Sequence, residues 1–212
     1  MAKSPAVIVL GLGRFGTALA RELTANHVDV MGVDASPKLV NNCASFLNHV
    51  TVADTTDEET LRQLGVDQAQ RVVIGIGTNL EASILTASLV VEFGVPDIWA
   101  KADSPEHARI LRRLGVHHVI MPESDTGRRV AHLLGGRLED YVEFDPQFGF
   151  TALALSKPLS VAQAWATHGV SVTAVRVDGS WIPPQSEAVL EAGTAVLLSG
   201  SPKAIDRAAT VL

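Results

Sequence analysis

A glycine-rich turn constrains the fold of this chain more than any other sequence feature. The motif G-x-G-x-x-G at residues 11–16 directly follows the apolar run Ala6–Leu10 and opens a helical pattern that continues to Ala25. The next apolar run ends in an acidic residue, Asp34. This order is typical of a dinucleotide-binding fold, in which the glycines let the backbone approach phosphates at a helix N-terminus. The alternative, a tight turn in a protein that binds nothing, is disfavoured by this context.

Short runs rich in Val, Ile and Leu alternate with helical patterns over the first two-thirds of the chain. They are nearly continuous in apolar residues, as strands are when both faces of a parallel sheet are covered. Together with five intervening helices they predict the α/β class, with a Rossmann-type, doubly wound parallel sheet. The six runs are Ala6–Leu10, Val28–Asp34, Val50–Ala53, Arg71–Ile76, Asp97–Lys101 and His118–Met121.

Capping residues predict where several helices begin and end. N-caps are expected where a proline follows or where a glutamate stands three residues later, at Ser36, Ser104, Thr56 and Thr78. C-terminal caps are expected at glycines that follow apolar helical segments, at Gly65, Gly94 and Gly115.

The pattern changes after residue 134. Gly135-Gly136 is predicted to end a helix over 123–134, and the acidic stretch that follows is predicted as a linker. Beyond it, short strands and two helices predict a small α+β lobe. The strands are Phe150–Leu155, Ser171–Val177 and Thr194–Ser199, with a hairpin turn at Asp178-Gly179 and helices at 159–165 and Pro202–Val211. We therefore predict a nucleotide-binding domain at 1–134, a linker at 135–149 and a C-terminal domain at 150–212.

Composition excludes several classes of protein. With 17 Lys and Arg against 23 Asp and Glu, the formal charge of −6 disfavours general nucleic-acid binding, which needs a basic surface. The single cysteine, Cys43, excludes a disulfide framework or a cysteine-based metal cluster and fits a reducing compartment. No apolar run reaches about 18 residues, and no secretion signal is recognisable. We expect a cytoplasmic protein whose membrane role, if it has one, comes through a partner.

Ligands of open α/β sheets bind beyond the carboxyl ends of the strands, and these ends carry informative side chains. Asp34 can accept hydrogen bonds from both ribose hydroxyls and would repel a 2′-phosphate, which disfavours NADP. Arg14 opposes the helix dipole unless a phosphate lies beside it, the alternative being a solvated surface arginine. Glu123 beside phosphates would need a bridging cation such as Mg²⁺, the alternative being a glutamate that suits the helix dipole.

Two other functions remain as alternatives. A small NAD-dependent oxidoreductase would need an acid–base residue, and the C-terminal lobe offers only His168 as a plausible one. A redox-sensing repressor is disfavoured by the negative charge and because few residues precede Ala6 to form a DNA-binding helix.

These motifs together resemble the RCK (regulator of potassium conductance) family, and most closely its KtrA type. The resemblance covers the whole chain and is more specific than the glycine motif alone. It rests on VIVLGLGRFG at 7–16, VDAS at 33–36, ADTTDEE at 53–59, IGTNLEAS at 76–83, IWAKA at 98–102 and IMPESDTG at 120–127.

The resemblance implies a regulator and not an enzyme. It implies dimers assembled into an octameric ring on the inner face of the cell membrane, beneath a potassium-channel subunit of a Ktr/Trk system. ATP, ADP or NAD(H) in the N-terminal lobe would change the shape of the ring, and Glu123 would help to bind a cation at the phosphates. The implied nucleotide contacts are Gly11, Gly13, Arg14, Phe15, Gly16, Asp34, Ala35, Ser36, Asp54, Thr55, Ile76, Gly77, Thr78, Lys101, Ala102, Asp103 and His107.

The C-terminal lobe departs from one property of the family. Some relatives bind cyclic di-AMP between paired C-terminal lobes. The segment Ser160 to Val170 contains no Lys or Arg, only His168. Because two phosphates usually require a cationic partner, this departure argues against cyclic di-AMP binding.

Overall fold

The apolar runs of the first two-thirds form a six-stranded parallel sheet. The computed structural model describes residues 6–135, 140–145 and 147–212, and the chain divides into a first unit that ends at Glu123 and a second that begins at Ser124. The spatial order of the strands is β3-β2-β1-β4-β5-β6, which confirms the predicted doubly wound sheet. The strands are β1 (Val7–Leu10), β2 (Val30–Asp34), β3 (His49–Val52), β4 (Arg71–Ile74), β5 (Asp97–Lys101) and β6 (His118–Ile120).

Helices cover both faces of this sheet, which explains why its strands are continuously apolar. In β1, Val7 and Val9 belong to one hydrophobic cluster, while Ile8 and Leu10 belong to another. Every residue of the strand is therefore buried, and no polar alternation is left in its sequence. The helices of this unit are α1 (Arg14–Ala25), α2 (Pro37–Cys43), α3 (Glu58–Gln63), α4 (Leu80–Glu92) and α5 (Pro105–Leu114), with a 3-10 helix at Val66–Gln68.

Two predicted helix starts are wrong by one residue. The N-caps of α3 and α4 are Asp57 and Asn79, not Thr56 and Thr78. Each accepts a hydrogen bond from the backbone N–H of the third helical residue. Asp and Asn are at least as good N-caps as Thr, so a neighbouring Asp or Asn takes the position despite the glutamate spacing.

The remaining capping predictions have different outcomes. Ser104 caps α5 through a hydrogen bond from the His107 N–H to its hydroxyl, as predicted. Ser36 precedes Pro37 at the start of α2, but its side chain caps nothing. The predicted C-terminal glycines all have positive φ, with values of 74° at Gly65, 73° at Gly94 and 105° at Gly115.

The second unit contains an antiparallel sheet and two helices, preceded by α6 (Pro122–Gly135), which crosses the boundary between the units. Five strands follow the order β11-β10-β13-β8-β7, and β12 pairs with β9. The hairpin turn at Asp178-Gly179 is confirmed, because both residues have positive φ between β10 and β11. The elements are β7 (Asp140–Asp145), β8 (Phe148–Ala154), β9 (Leu159–Ser160), α7 (Ala164–His168), β10 (Val170–Val177), β11 (Ser180–Ile182), β12 (Val189–Leu190), β13 (Ala195–Gly200) and α8 (Pro202–Val211).

Part of the stretch predicted as a linker is a strand. Residues 140–145 form β7, which pairs with β8, and β8 itself begins before the predicted position. The three acidic residues hid this strand: Asp140 and Asp145 are exposed and Glu143 is partly exposed, while Tyr141 is buried. Of the predicted linker, residues 136–139 and 146 lie outside the described residues.

Two further boundaries differ from the sequence expectation. The second unit begins before residue 134, since Leu133 of α6 packs against the hydrophobic core of that unit. The helix expected over 159–165 is replaced by the short strand β9 followed by α7. Among the described residues, no helix combines the length and apolar character needed to cross a bilayer.

The glycine turn is packed against the end of β4 with no space for side chains. A Cβ on Gly16 would lie 1.9 Å from the carbonyl oxygen of Gly11, and a Cβ on Gly75 would lie 2.8 Å from the same oxygen. Gly11 has a φ of 98°, in the region that favours glycine. The geometry of this turn therefore requires glycine at these positions.

We predict that Gly16→Ala destabilises the protein by about 3 kcal/mol, the upper end of overpacking costs, because its Cβ meets backbone that cannot move aside. Gly13→Ala in the same turn is the control, since its Cβ would meet nothing within 4 Å, and it should cost about 1 kcal/mol or less. Chemical denaturation followed by circular dichroism measures both. Equal costs for the two variants would contradict this account of the turn.

Candidate functional site

A cavity of about 500 Å³ lies at the carboxyl ends of five neighbouring strands, β1 to β5. Each of these strands contributes its last residue, the segment that follows it, or both to the lining. Parallel strands bring such segments together, although the segments are far apart in sequence. Most of the predicted contacts line this cavity: Gly11, Gly13, Arg14, Phe15, Asp34, Ala35, Asp54, Thr55, Ile76, Gly77, Thr78 and Lys101.

The other predicted residues do not line the cavity directly. Gly16 and Ala102 are buried beneath it, and Ser36 donates its backbone N–H to Asp34. Asp103 and Glu123 instead contact Lys101, which does line the cavity.

Sequence reasoning missed the contribution of two helices. The prediction from strand ends extends only to Thr78. The first two turns of α4 also line the cavity, and α2 contributes one apolar side chain, Leu39. The sequence signal that could have indicated these residues is the helical pattern that begins shortly after the end of a strand. The lining residues that are not among the predicted contacts are Leu39, Thr56, Gly75, Asn79, Glu81, Ala82 and Leu85.

The start of α1 faces the cavity without an internal cap. Its N-cap is Gly13, which has no side chain to accept the first N–H groups, and the first turn contains no acidic residue. The turn before it is held by hydrogen bonds from Gly11 N–H to Val33 and from Gly75 N–H to Leu10. Uncapped N–H groups and the helix dipole favour a negatively charged group at this position.

The Asp34 carboxylate is oriented by the backbone of the turn. Its Oδ2 accepts a hydrogen bond from Leu12 N–H at 2.7 Å, and its Oδ1 accepts one from Ser36 N–H at 2.8 Å. A carboxylate has about four lone-pair positions, so two bonds leave capacity for hydroxyl donors of a ligand. Asp34 is thus a fixed acceptor at the end of β2 and on the wall of the cavity.

At the end of β3, Asp54 and Thr55 differ in what they offer to a ligand. The backbone N–H and then the hydroxyl of Thr56 donate to Asp54 Oδ1, and these bonds lower the pKa of the Asp54 carboxyl, which keeps it ionised. Thr55 is buried, and its hydroxyl lies 2.9 Å from that of Thr86 in α4. Asp54 therefore provides a charge, whereas the side chain of Thr55 is already engaged.

Lys101 is a nearly buried cation held between two carboxylates. Its Nζ lies 2.8 Å from Glu123 Oε1 and 3.1 Å from Asp103 Oδ1, and its side chain is 11% exposed. Burial would lower the pKa of Lys101, but the hydrogen bonds to Glu123 and Asp103 outweigh burial and raise it. Lys101 is therefore charged when it faces the cavity.

Glu123 is occupied by this ion pair. The hydrogen bond from Lys101 lowers the pKa of Glu123 first, with a smaller contribution from the charge of Arg14. Within the ranges that the structure describes, no group of three or more His, Cys, Asp and Glu side chains is placed to hold a metal ion. The predicted cation role of Glu123 stays a prediction.

His107 is a buried residue that contacts the backbone of Asp103. It is 2% exposed in α5, and its Nδ1 accepts a hydrogen bond from Asp103 N–H at 3.4 Å. Burial lowers the pKa of His107, which favours the neutral ring. The structure places this residue against the backbone that carries Asp103, and not in the lining of the cavity.

Known proteins resemble this chain both in its first unit and over most of its length. Residues 7–122 match the family model described as the TrkA-N domain. The Ktr system potassium uptake protein A of Vibrio alginolyticus is 35% identical over 91% of this chain and 90% of its own length. The protein of the same name from Bacillus subtilis (strain 168) is 30% identical over 97% of this chain and 96% of its own length.

Solved structures with this fold include RCK domains. The GsuK RCK domain aligns with 99% of this chain at a TM-score of 0.67 and 17% identity, and the chain spans 48% of that structure. The GsuK channel bound to NAD aligns with 96% of this chain at a TM-score of 0.65 and 18% identity, over 38% of its own length.

The Kef C-terminal domain of Shewanella denitrificans, in an AMP-bound form, is 29% identical over 61% of this chain and 76% of its own, with a TM-score of 0.51. The family model covers residues 7–122, which lie in the first unit, and the two Ktr proteins match nearly the full length of the chain. The chain therefore belongs to the TrkA-N family and is a relative of the Ktr potassium uptake proteins.

Proposed function

We propose that this chain is a nucleotide-sensing regulatory subunit of a Ktr/Trk-type potassium uptake system. ATP or ADP, with NAD(H) as the alternative, binds in the cavity at the strand ends. Binding changes the shape of a homo-octameric ring that controls a membrane potassium-channel subunit from the cytoplasmic side. The observation that carries the proposal is the placement of Asp34, Arg14 and the uncapped start of α1 around one cavity.

Each of these groups has a defined part in holding the ligand. Asp34, fixed by Leu12 and Ser36, accepts hydrogen bonds from the ribose hydroxyls. The N–H groups at the start of α1 bind a phosphate, and the charge of Arg14 offsets the charge of that phosphate. The names of the full-length relatives support a role in potassium uptake, and the AMP-bound and NAD-bound structures support a nucleotide ligand.

Regulation requires that the ligand bind one shape of the ring better than another. A ligand of equal affinity for both shapes would shift nothing. Moving an equilibrium from 1:99 to 99:1 needs about 5.5 kcal/mol in total, which eight sites could supply through modest individual preferences. The additional phosphate of ATP relative to ADP is one difference that Arg14 can detect.

The direct test is mass spectrometry of the chain purified without added ligand, followed by calorimetry with ATP, ADP and NADH. We expect an adenine nucleotide to co-purify and to be recovered chemically unchanged after incubation. Failure of all three ligands to bind at millimolar concentration would overturn the proposal. Conversion of NADH together with a metabolite would favour an oxidoreductase instead.

Arg14→Ala should weaken ADP binding about tenfold and ATP binding more strongly, because a charge-assisted bond to phosphate is lost. Arg21→Ala is the matched control, since Arg21 is in the same helix and stacks on Phe46 without lining the cavity. Calorimetry of both variants measures the effect. An equal loss for ATP and ADP would remove Arg14 from the discrimination between them.

NADH should bind at least about tenfold more tightly than NADPH, because a 2′-phosphate would lie against the Asp34 carboxylate in a half-buried position. Titration of the unaltered chain with each dinucleotide, followed by nicotinamide fluorescence, gives both affinities. Equal affinities would show that Asp34 does not face the adenosine ribose.

A further inference from the structure

The turn between β5 and α5 connects the cation on the wall of the cavity to a buried histidine. Lys101 is the last residue of β5, and its Nζ lies 3.1 Å from Oδ1 of Asp103 in the turn. His107 lies in the first turn of α5 and is 2% exposed. The backbone N–H of Asp103 donates to Nδ1 of His107 at 3.4 Å. Asp103 therefore contacts the cation through its carboxylate and the ring through its backbone.

Two hydrogen bonds in opposite directions close this turn. The hydroxyl of Ser104, the N-cap of α5, accepts from the His107 N–H at 3.1 Å, and the His107 ring accepts from the Asp103 N–H. A capping box has the same form, with a glutamate or glutamine that reaches back to the backbone at the start of the helix. Because a histidine occupies that position here, the bond that reaches back depends on the protonation state of a ring.

The hydrogen bond to His107 requires a neutral ring. A ring nitrogen that accepts an N–H has no hydrogen of its own, so the hydrogen of the neutral ring is on Nε2. Nε2 is buried and has no hydrogen-bond partner among the residues that the structure describes. Burial lowers the pKa of His107, and the charge of Asp103, which raises it, does not compensate. The neutral ring is therefore the favoured form near pH 7.

A proton on the His107 ring would act mainly on Asp103, the charged group that influences it. Its Nδ1 could no longer accept the Asp103 N–H, and its positive charge would attract the Asp103 carboxylate away from Lys101. The other elements packed against α5 are α4 and β6. Their charged or titratable side chains, which are not among the groups that shift the pKa of His107, are Glu81, Glu92 and His118.

The ion pair of Lys101 and Asp103 lies directly against the wall of the cavity. A Cβ on Gly77, which lines the cavity, would lie 2.7 Å from Asp103 Oδ1 and 2.9 Å from Lys101 Nζ. Lys101 has three N–H donors, and the carboxylates of Asp103 and Glu123 account for two of them. The third donor can bind a phosphate while both carboxylates stay in place, provided that Asp103 holds Nζ at the wall.

We infer that His107 is a positioning residue of the nucleotide site: its neutral ring fixes the turn that carries Asp103, and Asp103 holds Lys101 where its remaining donor meets a phosphate. Acidification protonates the ring, releases the turn and weakens the binding of phosphorylated ligands. His107 thus makes the occupancy of the cavity depend on pH without touching the ligand. This inference rests on the proposed nucleotide site and adds a response of that site to pH.

Two variants separate the acceptor on residue 107 from its titration. His107→Asn keeps an acceptor near the position of Nδ1 but cannot be protonated there, whereas His107→Leu has no acceptor. At pH 7.5, His107→Asn should bind ADP as tightly as the unaltered chain does. His107→Leu should bind ADP about three- to tenfold more weakly, as expected for the loss of one hydrogen bond. Calorimetry measures both affinities.

The pH profile tests the titration itself. Because burial lowers the pKa of His107, the effect of the ring is complete above the ordinary pKa range of histidine and is lost as the pH falls below it. Between pH 7.5 and pH 5, the unaltered chain should lose about three- to tenfold more ADP affinity than His107→Asn does. Comparing the two at each pH cancels the titration of ADP. Adenosine, which has no phosphate for Lys101, should show no such difference.

His118→Asn is the matched control. His118 is also a histidine of the first unit beside an aspartate, with its Nε2 3.5 Å from Asp97 Oδ1, but it does not line the cavity. This variant should keep the pH profile of the unaltered chain. An equal loss of pH dependence in His118→Asn and His107→Asn would be a general effect of removing a histidine, and would overturn the inference.

The outcomes separate this inference from the proposed function. If ADP binds the unaltered chain and His107→Asn with the same pH profile, the role of His107 is wrong while the nucleotide site stands. Equal weakening by His107→Asn and His107→Leu at pH 7.5, or an equal pH-dependent loss for adenosine, would also overturn it. If neither variant folds, nitrogen NMR of the His107 ring in the unaltered chain decides, since a hydrogen on Nδ1 at pH 7.5 contradicts the inference and an unprotonated Nδ1 supports it. No binding of ADP to the unaltered chain would overturn both proposals.

Discussion

The close approach of three backbone segments at Gly11, Gly16 and Gly75 is the constraint on which the site depends. Because no side chain fits between them, the glycine turn lies directly on the end of β4. Backbone hydrogen bonds from Gly11 N–H to the Val33 carbonyl and from Gly75 N–H to the Leu10 carbonyl align the ends of neighbouring strands. The start of α1 and the Asp34 carboxylate are consequently fixed on one wall, and a ligand would meet groups that are already ordered. Binding to such a preorganised wall avoids much of the entropy cost of arranging it.

Charge is distributed around the cavity so that each cation already has a nearby anion. Lys101 is held by two carboxylates, and Arg14 acts on one of them. A phosphate entering this arrangement would meet cations that are already paired, so the net gain in free energy would be smaller than the strength of the new bonds.

Much of the fold and most of the cavity could be predicted because both depend on local pattern. Apolar runs and the glycine motif identified the strands and the turn, and strand ends identified most of the lining. The sequence pattern did not decide which of two neighbouring polar residues would be the N-cap of a helix. Asp57 and Asn79 cap α3 and α4 in place of the expected threonines. Strand β7 was hidden because three of its six residues are acidic, while Tyr141 is its buried residue. The pairing of Glu123 with Lys101 depends on tertiary distance, which spacing in sequence does not report.

Most of the lining of the cavity comes from the ends of five strands, and the buried residues of these strands lie in hydrophobic cores that do not line it. Away from the closely packed glycines Gly11 and Gly75, a substitution at one strand end alters a single patch of the wall and leaves the packing beneath it intact. Divergence can therefore change which small molecule is preferred, one tip at a time, without the losses in folding stability that usually limit adaptation. A sheet of this kind therefore allows the lining of its cavity to diverge while the architecture stays the same.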